Sequence, residues 1–152
     1  MNINRRQALG LTAGAAVFAA AGMRAIPALA DAAATEEAIK AFTGGTIPEG
    51  AGKLTLDAPE ISENGNTVPI SVSVESAMTG DDLVESVVIF AEGNPNPGVI
   101  TFNFTPLSGA AEATTRMRLA TTQNVVAVAK MADGTFYMDK KEVKVTIGGC
   151  GG

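Results

Sequence analysis

The stretch Val68-Pro69-Ile70-Ser71-Val72-Ser73-Val74 places an apolar residue at every second position. A period of two is typical of a β-strand that buries one face and exposes the other to water. Pro69 has no amide hydrogen to donate to a sheet ladder, so we expect this strand to lie near a sheet edge or at a bulge. The stretch predicts a protein whose core is built from sheets.

Short runs of the same kind occupy most of the chain on both sides of this strand. Turn signals separate them, among them Asn64-Gly65-Asn66, the GNPNP segment at 93–97, Ser108-Gly109 and the hairpin signal Asp133-Gly134. Six to eight short strands with this spacing indicate an all-β protein, an antiparallel β-sandwich, without a repeat or a second domain. The other runs are Leu54 with Leu56, Val99 to Phe104, Thr114 to Leu119, Val125 to Met131 and Phe136 to Ile147.

One segment, Thr35 to Phe42, has a helical pattern instead. Ile39 and Phe42 are three residues apart, which places them on one apolar stripe. We expect Thr35 to cap the helix, the two glutamates after it to lie in the first turn, and Gly44-Gly45 to end it. The sandwich is therefore expected to have a short N-terminal helix.

Two strands break the alternation, because Leu83 to Ala91 and Val125 to Ala129 contain continuous apolar runs. Such runs indicate burial on both faces. A sandwich covers only one face of each sheet, so something else must cover the other. Either the N-terminal helix and the loops suffice, or a permanent partner subunit packs there.

The first 30 residues have the three parts of an export signal. Arg5-Arg6 provide a basic start, small apolar residues run from Leu9 to Gly22, and Ala28-Leu29-Ala30 fits a cleavage pattern. The alternative, a buried Ala-rich helix, does not explain why the basic start and this ending occur together. The paired arginines indicate the twin-arginine route. We therefore expect a periplasmic protein with no membrane association after cleavage.

Charge and composition exclude several functions. Cleavage after Ala30 would remove three of the 11 basic residues and none of the 16 acidic residues, which leaves a net charge of −8. That charge argues against nucleic acid and against an anionic membrane surface as partners. With one Cys and no His, a protein zinc or copper site, haem attachment through C-x-x-C-H and a Cys-His or Ser-His catalytic pair are not expected. We expect neither a metal nor a cofactor.

The single cysteine, Cys150, lies in the sequence Ile147-Gly148-Gly149-Cys150-Gly151-Gly152. Two glycines on each side offer no side chain to pack against it and leave the backbone free, so the thiol should be accessible. Glycines also supply no helix N-terminus, cation or metal that would lower a thiol pKa. Without an acid, a base or an oxyanion hole, the protein is not expected to be an enzyme by itself.

A flexible and unactivated thiol suits a carrier arm that presents a covalently bound substrate to other proteins. We predict residues 31–147 as the sandwich domain and 148–152 as this arm, whose glycines would let it enter a narrow channel. The thiol would reach up to ~10 Å beyond Ile147. Three alternatives stay open: an exported binding or structural sandwich that dimerises through a disulfide at Cys150, an incidental cysteine, and a ubiquitin-like sulfur carrier that uses its terminal Gly-Gly.

The terminal IGGCGG sequence resembles the C-terminal signature of the SoxY sulfur carriers of periplasmic thiosulfate oxidation. Phe90-Ala91-Glu92 with the Asn-Pro repeat at 94–97, followed by Val99 to Phe104, is similar to the central strand-loop-strand of that family. Arg5-Arg6 also fits the family. The resemblance covers essentially the whole chain, and it implies an immunoglobulin-like sandwich.

The resemblance further implies a function and a set of partners. Cys150 would hold sulfur intermediates, and a SoxZ-like subunit would form a heterodimer that covers the apolar strands. A c-type cytochrome complex would couple thiosulfate to the thiol, a di-manganese hydrolase would release sulfate, and a sulfur dehydrogenase, where present, would oxidise the remaining sulfur. The chain itself would be a covalent substrate carrier on which these enzymes act.

Overall fold

Two β-sheets and one helix make up residues 32–149, which are the residues that the computed structural model describes. The predicted signal at 1–30, with Arg5 and Arg6, lies outside the described residues, as do Cys150, Gly151 and Gly152. The helix is α1 (Ala32–Thr43). The strands are β1 (Leu54–Asp57), β2 (Ile61–Ser62), β3 (Val68–Val74), β4 (Val84–Ala91), β5 (Gly98–Asn103), β6 (Ala111–Met117), β7 (Gln123–Met131) and β8 (Phe136–Val145).

The strands form a three-stranded sheet in the order β1-β3-β6 and a five-stranded sheet in the order β2-β8-β7-β4-β5. All neighbours run antiparallel except β2 and β8, which pair in parallel at Ile61–Lys144 and Ser62–Val145. The expected all-β, immunoglobulin-like sandwich with a short N-terminal helix is confirmed. The parallel pair departs from the purely antiparallel sheet that the sequence predicts.

The opening stretch forms the centre of the smaller sheet. Val68, Ile70, Val72 and Val74 are all buried, and the residues between them face outward. Strand β1 pairs only with Ser71 to Val74, so at Pro69 the strand β3 has β6 as its one neighbour in the described sheet. Pro69 therefore lies where β3 has an open side, a position in which a sheet tolerates proline.

The main core lies between the two sheets. Leu54 and Leu56 of β1 and the inward residues of β3 meet alternate residues of β4 and β7, such as Ile89 and Ala127. Strand β4 keeps its apolar residues on this face by means of an irregular register between Val84 and Ser86. Bulges of this kind shift which residues of a strand face inward.

The outer face of the five-stranded sheet has a second apolar cluster. Val88 and Phe90 of β4, Val126 and Val128 of β7, and Phe136 of β8 are buried there under α1. The helix contributes Ala38, Ile39 and Phe42, and the ring of Phe42 meets that of Phe136 edge-on at 5.9 Å between centroids. The continuous apolar runs are thus buried on both faces, and the first of the two expected coverings, the helix, accounts for this cluster.

The prediction that Thr35 caps the helix is wrong. The helix is already formed at Ala32, and Thr35 lies inside it with 1% of its surface exposed. The alanines at 32–34 are strong helix formers, so they extend the helix before Thr35 and place both glutamates beyond the first turn. The predicted end is confirmed, since Gly44 and Gly45 have φ of 64° and 89°, a conformation that favours glycine.

The predicted hairpin at Asp133-Gly134 joins β7 to β8. The Met131 amide donates to the carbonyl of Thr135 at 2.9 Å, and Gly134 has φ of 88°. The hairpin fixes β8 in register, and β8 leads directly toward the C-terminal arm.

No helix within residues 32–149 has the length and hydrophobicity needed to span a bilayer.

Candidate functional site

The C-terminal arm begins just after β8, which ends at Val145. Of the predicted site residues, the structure describes Gly148 and Gly149, both half-buried. The other predicted site residues lie outside the described part of the chain. The flexibility of the arm therefore stays a prediction, whereas its first two residues have defined neighbours.

Backbone hydrogen bonds tie the start of the arm to two distant loops. The Gly65 amide donates to the carbonyl of Ile147 at 2.7 Å, and the Leu119 amide donates to the carbonyl of Gly65 at 2.8 Å. The Gly149 amide in turn donates to the carbonyl of Leu119 at 2.9 Å. Three chain segments thus interlock at one end of the sandwich, immediately before Cys150.

These segments approach so closely that side chains would not fit. A Cβ atom on Gly149 would lie 2.8 Å from the Asn66 nitrogen and would overlap the Gly65 carbonyl. A Cβ atom on Gly148 would overlap the Ala120 carbonyl, and one on Gly65 would lie 2.8 Å from the Gly149 nitrogen. We call Gly65, Leu119 and Ala120 the arm seat, because their backbone surrounds the first two glycines of the arm.

The buried side-chain amides of Asn94 and Gln123 support the arm seat through hydrogen bonds. Asn94 is 7% exposed, and its Nδ2 donates to the Arg118 carbonyl at 2.8 Å. Its Oδ1 accepts from the Ala120 amide and from Gln123 Nε2, each at 3.0 Å. Gln123 Oε1 accepts from the Gly93 amide at 2.7 Å, which ties the loop after β4 to the start of β7. Asn94 therefore holds the backbone on both sides of Leu119.

The charged side chain of Glu92 lies next to this network in the chain, just before Gly93. Glu92 accepts from Asn124 Nδ2 at 2.7 Å and from Lys140 Nζ at 2.6 Å. Burial by itself raises the pKa of Glu92, but the hydrogen bonds from Lys140 and Asn124 and the lysine charge outweigh it, so the pKa lies below the usual glutamate range. The carboxylate thus links the end of β4 to β7 and β8.

Within residues 32–149, no three side chains of His, Cys, Asp or Glu come together in a way that could hold a metal ion.

The residues that sequence reasoning missed are Gly65, Asn94 and Gln123. Two signals pointed toward Gly65 and Asn94, namely the Asn64-Gly65-Asn66 turn and the Asn-Pro repeat, and none pointed toward Gln123. Each had been interpreted only as a turn or as part of a resemblance, because the contacts join positions far apart in the chain.

Comparison with known proteins identifies the family. The model of the family described as "Sulfur oxidation protein SoxY" matches residues 39–150. The chain belongs to the SoxY family. The solved structure of the sulfur carrier protein SoxY from Chlorobium limicola f thiosulfatophilum agrees with a TM-score of 0.60 at 34% identity, over 74% of this chain and 96% of that one. The comparison with curated proteins found no match to the chain.

A second similarity to a solved structure concerns the fold alone. A variant of superoxide reductase (neelaredoxin) from Ignicoccus hospitalis matches with a TM-score of 0.55 at 18% identity, over 65% of this chain and 94% of that one. At such low identity the match shows a shared sandwich architecture. The SoxY family match, by contrast, ends at Cys150, so it includes the arm seat and the cysteine that follows it.

Proposed function

We propose that this SoxY-family chain carries sulfur intermediates covalently on Cys150 during thiosulfate oxidation and presents them to successive enzymes. The observation that carries the proposal is the family match over residues 39–150, whose last residue is the single cysteine of the chain. The Gly-Gly-Cys-Gly-Gly sequence around that thiol suits attachment and presentation. An exported sandwich that merely dimerises through Cys150 is not favoured by this family membership.

The chemistry assigned to Cys150 needs an electron acceptor on another protein. The thiol sulfur would form a bond to the sulfane sulfur of thiosulfate, releasing one proton and two electrons, and the electrons would pass to the c-type cytochrome partner. Water would then attack the sulfonate sulfur, which releases sulfate and leaves a persulfide on Cys150. The first step is an oxidation of the two sulfur atoms that join, and the second is a hydrolysis without electron transfer.

The partners follow from the family and belong to the same proposal. We expect a SoxZ-like subunit to form a heterodimer with this chain, and the cytochrome complex, the di-manganese hydrolase and, where present, a sulfur dehydrogenase to act on the bound sulfur. Helix α1 already covers the outer apolar cluster. We therefore expect a SoxZ-like subunit to contact residues other than this cluster, and co-purification from the native organism tests for such a subunit.

Export by the twin-arginine route, directed by Arg5-Arg6, would place this chemistry in the periplasm. The heterodimer would be exported folded if its partner has no signal of its own. The predicted signal ends before the first residue of the family match, residue 39, which is consistent with a removable leader ahead of the carrier domain.

Turnover in a reconstituted system tests the proposal. With the purified partner enzymes, thiosulfate-dependent reduction of the cytochrome should require this chain and fall at least a hundredfold with Cys150→Ser. A matched control is Gly50→Ala, because a Cβ at this exposed glycine meets nothing within 4 Å. Full turnover with the Cys150→Ser protein would overturn the proposal.

A further inference from the structure

The first two glycines of the arm are held, whereas sequence reasoning treated all four arm glycines alike. Gly149 donates its amide to the Leu119 carbonyl at 2.9 Å, and Ile147 accepts from Gly65 at 2.7 Å. Because Ile147 and Gly149 are both hydrogen-bonded, the backbone is held on each side of Gly148. In this arrangement the backbone of 147–149 behaves as an extension of the sandwich.

Steric contacts give these glycines a reason that differs from flexibility. Gly148 and Gly149 pass so close to Ala120 and Gly65 that a Cβ on either would overlap a carbonyl group. Glycine is the residue that permits two backbones to approach this closely. Gly65, which faces the arm, also has no room for a side chain, since a Cβ there would overlap the Leu119 carbonyl.

The brace under the arm seat consists of groups with no other role in the proposed chemistry. Asn94 donates to the Arg118 carbonyl and accepts from the Ala120 amide, so it fixes the residues on both sides of Leu119. Gln123 supports the Asn94 Oδ1 from within the fold, and it is itself only 7% exposed. Buried side-chain amides that are hydrogen-bonded at both the oxygen and the nitrogen in this way hold a backbone in one arrangement.

We propose that the arm seat holds Gly148 and Gly149 in place, with Asn94 as its positioning residue, so that the Cys150 thiol moves about Gly149 rather than about Ile147. This inference rests on the proposed carrier function of Cys150. It makes Gly148-Gly149 a docked part of the arm. The Cα of Cys150 then lies one peptide, about 3.8 Å, beyond a fixed point.

A docked part changes how the thiol is presented. Gly149 is fixed at one end of the sandwich, next to the loop at 118–121, so partner enzymes would have to approach that end to reach the cysteine that follows it. The two glycines before Cys150 then meet a requirement for close backbone contact. An alanine at 149 must displace the docked backbone, whereas the inference sets no such constraint on an alanine at 151.

Backbone relaxation of the ¹⁵N-labelled full chain, with Cys150 reduced and no sulfur bound, tests the seat. We expect order parameters of about 0.8 at Gly148 and Gly149 and below about 0.6 at Gly151 and Gly152. The Gly149 amide should also exchange with solvent at least tenfold more slowly than the Gly151 amide. Equal, low order at Gly149 and Gly151 would overturn the inference without the need for any variant.

Variants then test whether Asn94 positions the arm or only stabilises the fold. Asn94→Ala should lower the order parameter of Gly149 to that of Gly151 and abolish its slow exchange, while the central strands keep their native spectrum. The matched control, Asn96→Ala in the same loop, alters an exposed side chain and should leave Gly149 ordered. If Gly149 stays ordered in folded Asn94→Ala, the positioning role is wrong.

The sulfur chemistry is tested separately from the seat. A mobile Gly149 in a protein that still loads sulfur on Cys150 would overturn the seat and leave the carrier function standing. An ordered Gly149 in a protein that never loads sulfur would have the opposite meaning. The two proposals therefore fail through different measurements.

Discussion

At the scale of single residues, Asn94 stands out because one buried side chain satisfies a backbone donor, a backbone acceptor and a neighbouring amide. It lies in the loop between β4 and β5, which the sequence marks only as a turn. Its removal would leave the Arg118 carbonyl and the Ala120 amide without these partners. Buried polar groups without partners are among the costlier defects in a folded protein.

Asn94→Ala is expected to reduce the free energy of unfolding by roughly 2–4 kcal/mol, because two backbone groups and Gln123 lose a partner in a buried site. Urea denaturation followed by circular dichroism measures this loss. Asn96→Ala, an exposed neighbour in the same loop, should change stability by less than ~0.5 kcal/mol. Equal losses in the two variants would contradict the bracing role.

Glu92 predicts a pH dependence. Its pKa is lowered in the folded protein, so the folded state binds this proton less readily than the unfolded state does. Its stabilising contribution is therefore present at neutral pH and is lost as the pH falls below about 4.5 and through the lowered value. Unfolding measured from pH 7 to pH 3 should show a smaller loss of stability for Glu92→Gln than for the wild type. An identical profile would show that Glu92 contributes nothing.

At the scale of elements, helix α1 covers the apolar cluster on the outer face of the larger sheet. Phe42 packs edge-on against Phe136, and Ile39 and Ala38 cover the apolar residues of β4 and β7. Strands such as β4 therefore need no partner to be buried on both sides. This feature separates the stability of the domain from the question of which subunit binds it.

Phe42→Ala should lower the free energy of unfolding by roughly 1–3 kcal/mol, less than a fully buried Phe would, since Phe42 is half-buried. It should also increase binding of a hydrophobic dye, because the outer cluster becomes accessible. Glu37→Ala, on an exposed position of the same helix, is the control and should have neither effect. An unchanged Phe42→Ala protein would mean that the helix is not the functional cover.

The elements that could be predicted from the sequence are those with local patterns. Alternation identified β3, turn chemistry identified the hairpin at Asp133-Gly134, and Gly44-Gly45 identified the end of α1. The start of α1 was misplaced because three alanines continue a helix past any capping signal. Strand β2 was missed because it has only two residues, Ile61 and Ser62, which leave no periodicity to detect.

The arm seat could not have been predicted from local pattern. It depends on backbone contacts among Gly65, Leu119 and Gly149, which the fold alone brings together. Glycine in a sequence indicates either freedom or close approach, and only the packing separates the two. The same Gly-Gly pair was therefore interpreted as flexible, an interpretation that the proposed relaxation measurement now tests.

At the scale of the whole molecule, the sandwich is a scaffold that holds the start of the C-terminal arm at one end. Strand β8 and the loops at 64–66 and 118–121 converge on the start of the arm. In the proposed function, the partner proteins supply the redox and hydrolytic chemistry. On that proposal, this chain holds the sulfur and its partners transform it.

The measurement that tests this account most directly is the mass of the C-terminal peptide after the full protein has been incubated with thiosulfate and the oxidising cytochrome partner. We predict an added sulfur species that maps to Cys150, disappears on treatment with a thiol reductant, and never forms on the Cys150→Ser protein. Sulfur found on any other residue, or a Cys150 that yields only a disulfide-linked dimer, would contradict the account.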